Sequence, residues 1–413
     1  MRDGVFKQLL YKTGIMPTYI GFVEWRYRGK TNNKKTYKWY FRFLKIQKNK
    51  IVFDNFLGRG YGDNPKAIAE EIIRKQLDWD LVWLTNKKEN MPKQIRQVTY
   101  GTIEAMRELS TAKVWVFNCR NVKHPKKRFT QKYLQTWHGG YPLKLIEKEV
   151  EDQLDKQYVE QAKKDGTILN AIISSSEYMT KKIQKYFWLG KQAHLLEIGE
   201  PKNDVLFDDI ENKFINIKIR SIYSVTEGTK IVLYLPTFRD NNKVECYNID
   251  YEKVINAFEK KYKNPVVIFL RLHPNVLNST NIELDLPNNV INVSDYPEAS
   301  DLYCVADVLI SDYSGVLLSF SLLHKPIYIY AKDLDNYTKK RGFNELYNMI
   351  PCKKCTSNDE LVDEIINTDD KELTRRIHSL FNYIHPFENG TASKNAVIWI
   401  ENQIKHKSPA NKC

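Results

Sequence analysis

Short apolar runs alternate with helical patterns along most of this chain, and that alternation limits the folds it can adopt. The runs have the length of buried strands and fall into two series. They cover residues 51–56, 80–84, 113–117, 132–136 and 170–174, then 230–235, 265–270, 289–293, 306–310 and 326–330. Helical patterns lie between many of them, for example at 65–77, 152–164 and 176–187. Alternation of this kind predicts parallel βαβ units.

Two such series on a chain of 413 residues predict two domains, because a single core rarely serves more than roughly 250–300 residues. We expect an α/β protein in which two doubly wound, Rossmann-like domains face a central cleft. The predicted parts are a basic aromatic segment 1–50, an N-terminal domain 51–215, a C-terminal domain 216–385 and a closing segment 386–413. The closing segment is expected to be a helix that crosses back to the N-terminal domain.

The net charge of +14 calls for an anionic partner, which could be nucleic acid, an anionic membrane surface or a phosphorylated substrate. Segment 1–50 carries 13 lysines and arginines among many aromatic residues, which suits a membrane surface, although a solvated face is the alternative. No run of 18 apolar residues and no signal-peptide core is present in the sequence. We therefore expect a peripheral protein at the cytoplasmic face of the cell membrane.

A histidine follows the strand predicted at 132–136. His138 is succeeded by Gly139 and Gly140, which we expect to let the backbone turn sharply and expose the imidazole in a cleft. An imidazole titrates near neutral pH and can take a proton from a hydroxyl nucleophile. The alternative is a packed or capping histidine at a tight turn.

Polar groups also follow two strands of the second series, at the sheet edge where ligands of α/β proteins bind. Arg271 and His273 end one strand two residues apart, so they share a face and offer donors to phosphate oxygens. Residues 311–315 (Ser-Asp-Tyr-Ser-Gly) lead from a strand into a helix expected near Ser314, whose free N–H groups could hold an anion. The alternatives are ordinary surface residues and a plain helix cap.

Three weaker signals join these. Thr237 and Arg239 follow the strand 230–235, and cations lie in 332–341. Residues 58–65 form a glycine-rich turn before a helix, without the spacing of a dinucleotide fingerprint. Cationic, hydroxyl and imidazole groups placed after several strands of two domains suit a cleft that holds a diphosphate.

Together these segments resemble the bacterial CDP-glycerol glycerophosphotransferases, the teichoic acid primases and polymerases, including users of CDP-ribitol. The resemblance extends from about Phe53 to Gln403 and includes the sequence Thr136-Trp137-His138-Gly139. The ordered motifs lie at 58–66, 136–139, 142–144, 199–204, 236–240, 271–274, 311–314, 325–326 and 341–343.

The resemblance implies a GT-B-like fold and transfer of glycerol phosphate, or ribitol phosphate, from a CDP-polyol to a hydroxyl of a membrane-linked teichoic acid or capsule-type polymer. CMP is released, and the acceptor is a lipid-linked polyol phosphate or glycan. His138 matches the family's general base, and His273 is the second predicted catalytic residue. The predicted donor-binding residues are Thr237, Arg239, Arg271, Ser311, Asp312, Ser314, Gly315 and Arg341, and the acceptor-side residues are Asn64, Gly139, Gly140 and Lys144.

The sequence departs from the family pattern at several positions. Gly140 and Tyr141 add one residue to the His-Gly-Thr-Pro-Leu-Lys pattern, and Gly315 replaces a frequent serine. Glu200 and Lys202 stand where a bulkier apolar residue and arginine are common. The change at Gly315 lies near the polyol end of the donor, so it bears on donor identity more than on reaction class.

Two rival functions share some of these features. A GT-B glycosyltransferase that uses a nucleotide sugar would have the same architecture. A nucleic-acid-binding protein would suit the charge, but no helix-turn-helix, zinc or RNP pattern is present in the sequence, so we expect no nucleic-acid partner. Cys352 and Cys355 form a lone CxxC, which predicts no zinc site. No cofactor is required, although a diphosphate donor can recruit Mg²⁺.

Overall fold

A computed structural model of the chain describes residues 43–120, 124–237, 239, 249–272 and 286–405, together with Thr18. The expectations for segment 1–50 therefore fall almost entirely outside the described residues. No helix within the described ranges is both long enough and apolar enough to cross a membrane.

The first domain is built on a seven-stranded parallel sheet in the order β3-β2-β1-β4-β5-β6-β7. The strand order reverses between β1 and β4, which is the kind of switch point where α/β sheets bind ligands. The strands are β1 (Gln47–Asp54), β2 (Asp80–Thr85), β3 (Ile95–Thr99), β4 (Ala112–Phe117), β5 (Lys132–Gln135), β6 (Ala171–Ser174) and β7 (His194–Glu197).

The second domain is built on a six-stranded parallel sheet in the order β10-β9-β8-β11-β12-β13, and its order reverses between β8 and β11. The strands are β8 (Lys230–Leu235), β9 (Val266–Leu270), β10 (Val290–Asn292), β11 (Val308–Ser311), β12 (Ile327–Tyr330) and β13 (Lys354–Cys355). Two parallel α/β domains give the GT-B-like arrangement that the resemblance implies.

Helices connect the strands, and local chemistry sets several of their starts. The helix that follows β6 begins after Ser176, whose hydroxyl accepts a hydrogen bond from the amide of Met179 at 3.1 Å. Two 3₁₀ helices span Glu147–Gln153 and Pro201–Phe207. The α-helices are α1 (Asp63–Arg74), α2 (Ile103–Thr111), α3 (Lys156–Ile168), α4 (Glu177–Tyr186), α5 (Asp209–Ile222), α6 (Tyr251–Tyr262), α7 (Ala299–Val305), α8 (Val316–Ser321), α9 (Leu334–Arg341), α10 (Glu345–Met349), α11 (Asn358–Asn367), α12 (Asp370–Ser379), α13 (Phe381–Ile384) and α14 (Ala392–Lys405).

The strands that the sequence analysis missed, β3, β7 and β13, all lie at sheet edges. β3 has one buried residue, Ile95, and β7 has none. An edge strand is paired on one side only and can stay polar, so it lacks the apolar run by which the inner strands were recognised.

The chain returns to the first domain at its C-terminal end. Ala396, Val397 and Ile400 of α14 are fully buried and join the core formed by Ile68 and Ile72 of α1. The segment before α14 is bonded to the same domain, because the amide of Phe387 donates to the carbonyl of Ser175. The C-terminal end of the chain therefore crosses from the second domain back to the first.

Candidate functional site

The predicted site residues lie where the carboxyl ends of the two sheets meet. His138 comes three residues after β5, and Thr237 comes two residues after β8. Arg271 follows β9 directly, and Ser311 is the last residue of β11. The fold therefore brings groups from four separate motifs to one cleft between the domains.

The imidazole of His138 is half-buried and has a defined tautomer. Its Nδ1 lies 2.7 Å from the carbonyl oxygen of Asn118, and a carbonyl can only accept, so Nδ1 carries the proton. The other nitrogen, Nε2, is left as the basic one, and it forms no hydrogen bond to the described residues. Burial lowers the pKa of His138, while the Asn118 carbonyl and the charge of Asp63 oppose that shift. The histidine is thus held neutral and ready to accept a proton.

The turn that presents His138 is made by Trp137 and not by the two glycines. Trp137 has φ of +57°, a left-handed conformation that costs energy for a bulky residue, whereas Gly139 and Gly140 are not in that region. Gly140 is needed for space, because a Cβ there would lie 2.5 Å from the Oε2 atom of Glu200. The expectation that the glycines provide the sharp turn is wrong for this reason.

Lys202 is the hub that holds this turn. Its ammonium group pairs with Asp63 at 3.2 Å and Glu200 at 3.1 Å, and it donates to the carbonyl oxygen of His138 at 3.2 Å. Burial acts to lower the pKa of Lys202, but the two carboxylates raise it, so the group stays charged. In the sequence, Lys202 stands out only as a departure from the family pattern.

Asn64 joins the same loops from α1. Its side-chain amide donates to the Trp137 carbonyl at 3.1 Å and accepts from the Lys202 amide at 3.1 Å. The residue is fully buried. The structure therefore favours a positioning role for Asn64, and the predicted contact with an acceptor stays untested.

The loop after His138 reaches into the second domain. Tyr141 and Leu143 are buried in that domain's core. Lys144 forms an antiparallel bridge with Phe343, and the amide of Asn344 donates to the Leu143 carbonyl at 3.1 Å. The ammonium group of Lys144 also lies 5.2 Å from the ring centre of Tyr337. The strap, as we call residues 141–145, fixes the base loop to the second domain.

Two departures from the family pattern meet at this strap. A Cβ on Gly315 would lie 2.5 Å from the backbone oxygen of Tyr141. A serine at position 315 would collide with the strap in its present position. The additional residue in the strap and the glycine at 315 therefore fit each other.

The loops after β8 and β11 are bound together by buried charges. Asp312 accepts from the Thr237 hydroxyl at 2.5 Å and from Arg239 at 2.8 Å. Arg239 also pairs with Asp333 at 2.8 Å, and its guanidinium lies 4.8 Å from the ring centre of Tyr313. Burial acts to lower the pKa of Arg239, but Asp333 and Asp312 raise it. The structure favours a positioning role for Arg239 over direct contact with the donor.

Ser311 is also buried, and its hydroxyl donates to the Leu235 carbonyl at 2.6 Å. The expected helix begins at Val316, has only six residues, and bonds its first amides to Ser314 and Gly315. This short helix gives little support to the predicted anion site at its start. Ser314 and Gly315 themselves are half-buried at the cleft.

Among the predicted donor-binding residues, Arg271 is the one whose described contacts leave its charge available for a ligand. Its guanidinium donates to the backbone oxygens of Tyr296 and Pro297, and the described residues offer it no carboxylate within ion-pair distance. Burial lowers its pKa, with Tyr303 and Glu298 acting the other way. A half-buried guanidinium that pairs with no carboxylate of the described residues is suited to an anionic ligand.

Glu298 is a cleft residue that the sequence analysis did not detect. It comes from the second domain and faces the first, since a Cβ on Gly62 would lie 2.9 Å from its Oε1 atom and Lys66 lies 4.0 Å away. Oε1 has no hydrogen-bond partner among the described residues. Burial raises the pKa of Glu298 to about 7, which Lys66 opposes. No local motif marked it, because its setting depends on the other domain.

Two predicted residues cannot be placed. His273 lies outside the described residues, and the side chain of Arg341 at the end of α9 lies outside them as well. Their roles stay predictions.

Comparisons with known proteins agree on one group. The family model for CDP-glycerol:poly(glycerophosphate) glycerophosphotransferase matches residues 36–402. A teichoic acid glycerol-phosphate transferase of Staphylococcus aureus is 32% identical over 310 residues, which are 72% of this chain and 77% of that protein. A teichoic acid poly(glycerol phosphate) polymerase of Staphylococcus epidermidis is 28% identical over 375 residues and 88% of this chain. The chain spans 52% of that polymerase, about half its length.

Among solved structures, the wall teichoic acid polymerase TagF resembles the chain along nearly its whole length. A histidine-to-asparagine variant of TagF soaked with CDPG has a TM-score of 0.80 and 25% identity, with 98% of each chain covered. The likeness thus includes both domains and their relative placement.

Proposed function

Because the chain belongs to the CDP-glycerol:poly(glycerophosphate) glycerophosphotransferase family, we propose that it transfers glycerol phosphate from CDP-glycerol to a hydroxyl of a membrane-linked teichoic acid polymer. Family membership confirms the resemblance seen in the sequence. Glycerol is preferred over ribitol because the matching family is described by CDP-glycerol.

The observation that carries the proposal is the tautomer of His138. With its proton on Nδ1, the imidazole presents a basic Nε2 at the cleft. In the proposed reaction, Nε2 takes the proton of the acceptor hydroxyl while that oxygen attacks the glycerol-bearing phosphorus. A new phosphate ester forms, the bond to CMP breaks, and CMP leaves with the bonding electron pair. General bases contribute roughly 10²–10⁴-fold to rates.

Charge that develops on the phosphates needs cationic partners, and such stabilisation supplies much of the rate in phosphoryl transfer. Arg271 is the described residue best placed to provide it, and His273 is a predicted second donor. Arg239 and Asp312 hold the surrounding loops. Mg²⁺ bound through the donor phosphates is compatible with this scheme, but no step requires it.

The proposed acceptor is lipid-linked, so we also propose that the protein works at the cytoplasmic face of the membrane. The basic segment 1–50 supports this, and the described residues add Phe129, which is 92% exposed beside Lys126 and Lys127. If the full chain does not bind anionic liposomes at low salt, the membrane part of the proposal is excluded.

The test of the reaction is CMP release from CDP-glycerol with a lipid-linked glycerol-phosphate acceptor, comparing the native chain with His138→Ala. The variant should lose at least about 100-fold in turnover while it still binds CDP-glycerol by calorimetry. His194→Ala, at an exposed histidine on β7, is the matched control. Near-normal turnover of His138→Ala would exclude the assigned base.

A donor panel then separates the remaining alternatives. CDP-ribitol in place of CDP-glycerol tests the polyol. Stabilisation by UDP-sugars and not by CMP or CDP would instead indicate a sugar transferase.

A further inference from the structure

Helix α5, which links the two domains, is apolar on two opposite sides. Its inner side packs through Ile215 and Ile219, which are buried. Its outer side carries Ile210, Phe214 and Ile217, which are 69%, 64% and 68% exposed. A surface helix normally has one apolar side, and nothing among the described residues covers the outer side of α5.

The spacing of the outer residues identifies the kind of partner. They fall at steps of four and three residues, and Phe207, which is 41% exposed, lies just before the helix begins. Such a spacing makes a narrow seam of the type that packs against another helix, whereas a lipid-facing helix has a broader apolar face. The partner expected here is therefore a helix.

The charges beside the seam indicate a second copy of α5 that runs antiparallel. Glu211 and Lys218 are seven residues apart, so they lie on the same flank of the seam. A two-fold axis near Phe214 would place each Glu211 opposite Lys218 of the second copy. In a parallel pair the two copies of this flank would lie on opposite sides of the seam, so these charges would not meet.

The rest of the helix agrees with that pairing. Asp209 and Glu211 make its first turn acidic, and antiparallel helix dipoles attract. On the other flank, Arg220 is turned back to its own chain, where it donates to the backbone oxygens of Thr226 and Thr229. Its positive charge is thereby withdrawn from the seam.

We propose that two copies of this chain associate through the outer side of α5. The three seam residues and Phe207 expose roughly 450–500 Å² per copy, if a large apolar side chain presents about 200 Å² when fully exposed. Two copies would bury about 900–1,000 Å², which is below the standard size of a specific interface, so a weak, reversible dimer is expected. The inference does not rest on the proposed reaction.

The test is the mass of the full chain in solution, measured by sedimentation equilibrium up to about 100 µM, where an interface of this size can be populated. The native chain should shift from 48.7 kDa toward twice that mass as concentration rises. Phe214→Glu should weaken the dimer at least tenfold, and Ile366→Glu, at a side chain 39% exposed on α11, should leave it unchanged. A native chain that stays monomeric throughout would overturn the proposal.

Charge exchange tests the orientation. Glu211→Lys alone should weaken the dimer, and Glu211→Lys combined with Lys218→Glu should restore it, since the exchange rebuilds both antiparallel pairs. Failure of the double variant to recover, with native thermal stability, would contradict antiparallel pairing. If Phe214→Glu reduces binding to anionic vesicles and leaves the mass unaltered, the surface is a lipid contact and the dimer is excluded.

Discussion

Replacing Gly315 with alanine should disturb the proposed reaction without touching any of its groups. The added Cβ would lie 2.5 Å from the Tyr141 oxygen, and 3.4 Å is the start of ordinary contact, so the two loops must separate by about 0.9 Å. Tyr141 cannot retreat freely. Its side chain is buried, and the strap beyond it is held at the Leu143 carbonyl by Asn344.

The size of the effect follows from that displacement. Overpacking of this kind costs about 1–3 kcal/mol of stability. His138 is three residues before Tyr141, so it should move relative to the loop that carries Gly315. A shift near 1 Å can lower a reaction rate roughly 100-fold. We expect kcat for CMP release to fall by about 10–100-fold, with a lowered midpoint of thermal unfolding.

The assay measures CMP release and thermal unfolding on the same preparations. Gly139→Ala is the stability control, because its Cβ would have no neighbour nearer than 3.9 Å and Gly139 is not in the left-handed region. The control should unfold at the native midpoint. If Gly315→Ala has native kcat and native stability, the close contact with the strap does not position His138.

Three further predictions concern charged groups. Lys202→Met should lower the free energy of unfolding in denaturant by about 3–5 kcal/mol, because it leaves the carboxylates of Asp63 and Glu200 without their cation. Lys202→Arg keeps the charge and should lower it less, and equal losses in the two variants would contradict this role of Lys202. The pKa of Glu298 is raised to about 7, so the folded state binds a proton that the unfolded state releases, and the free energy of unfolding should fall as pH rises from about 4.5 through 7. The Glu298→Gln variant should lose this pH dependence, and near pH 8 it should be up to about 3 kcal/mol more stable than the native chain. Because burial lowers the pKa of His138 below 6.5, kcat/KM should stay flat as pH falls through 6.5 and decline only at lower pH, and an acid limb at or above 6.5 would refute its role as the base.

Much of the fold could be predicted because its inner strands are continuous apolar runs. The strands around His138 and Arg271 were expected within one or two residues of their observed ends. The strands that were not predicted lie at sheet edges and lack an apolar run, so short-range patterns do not distinguish them from loops. The position of His138 after a strand was likewise readable, since it depends on local order along the chain.

The way His138 is held could not be predicted. The sequence suggested a glycine turn, but the left-handed residue is Trp137, and packing of its half-buried ring against Phe187 (ring centres 4.7 Å apart) helps to compensate for that conformation. Whether Arg239 faces a ligand or a carboxylate depends on Asp312 and Asp333, which arrive from other strands. Such outcomes are set by packing partners that no local window contains.

By itself, the sequence determined the two α/β domains, the order of the motifs and the family to which they belong, because these follow from periodicity and from residues close together along the chain. Only the tertiary structure decided which motif residues face the cleft and which are buried supports. It showed Lys202 as the hub beneath His138 and Gly315 as the space that the strap occupies. These contacts join residues far apart in the sequence, and the packing of one domain against the other fixes their distances.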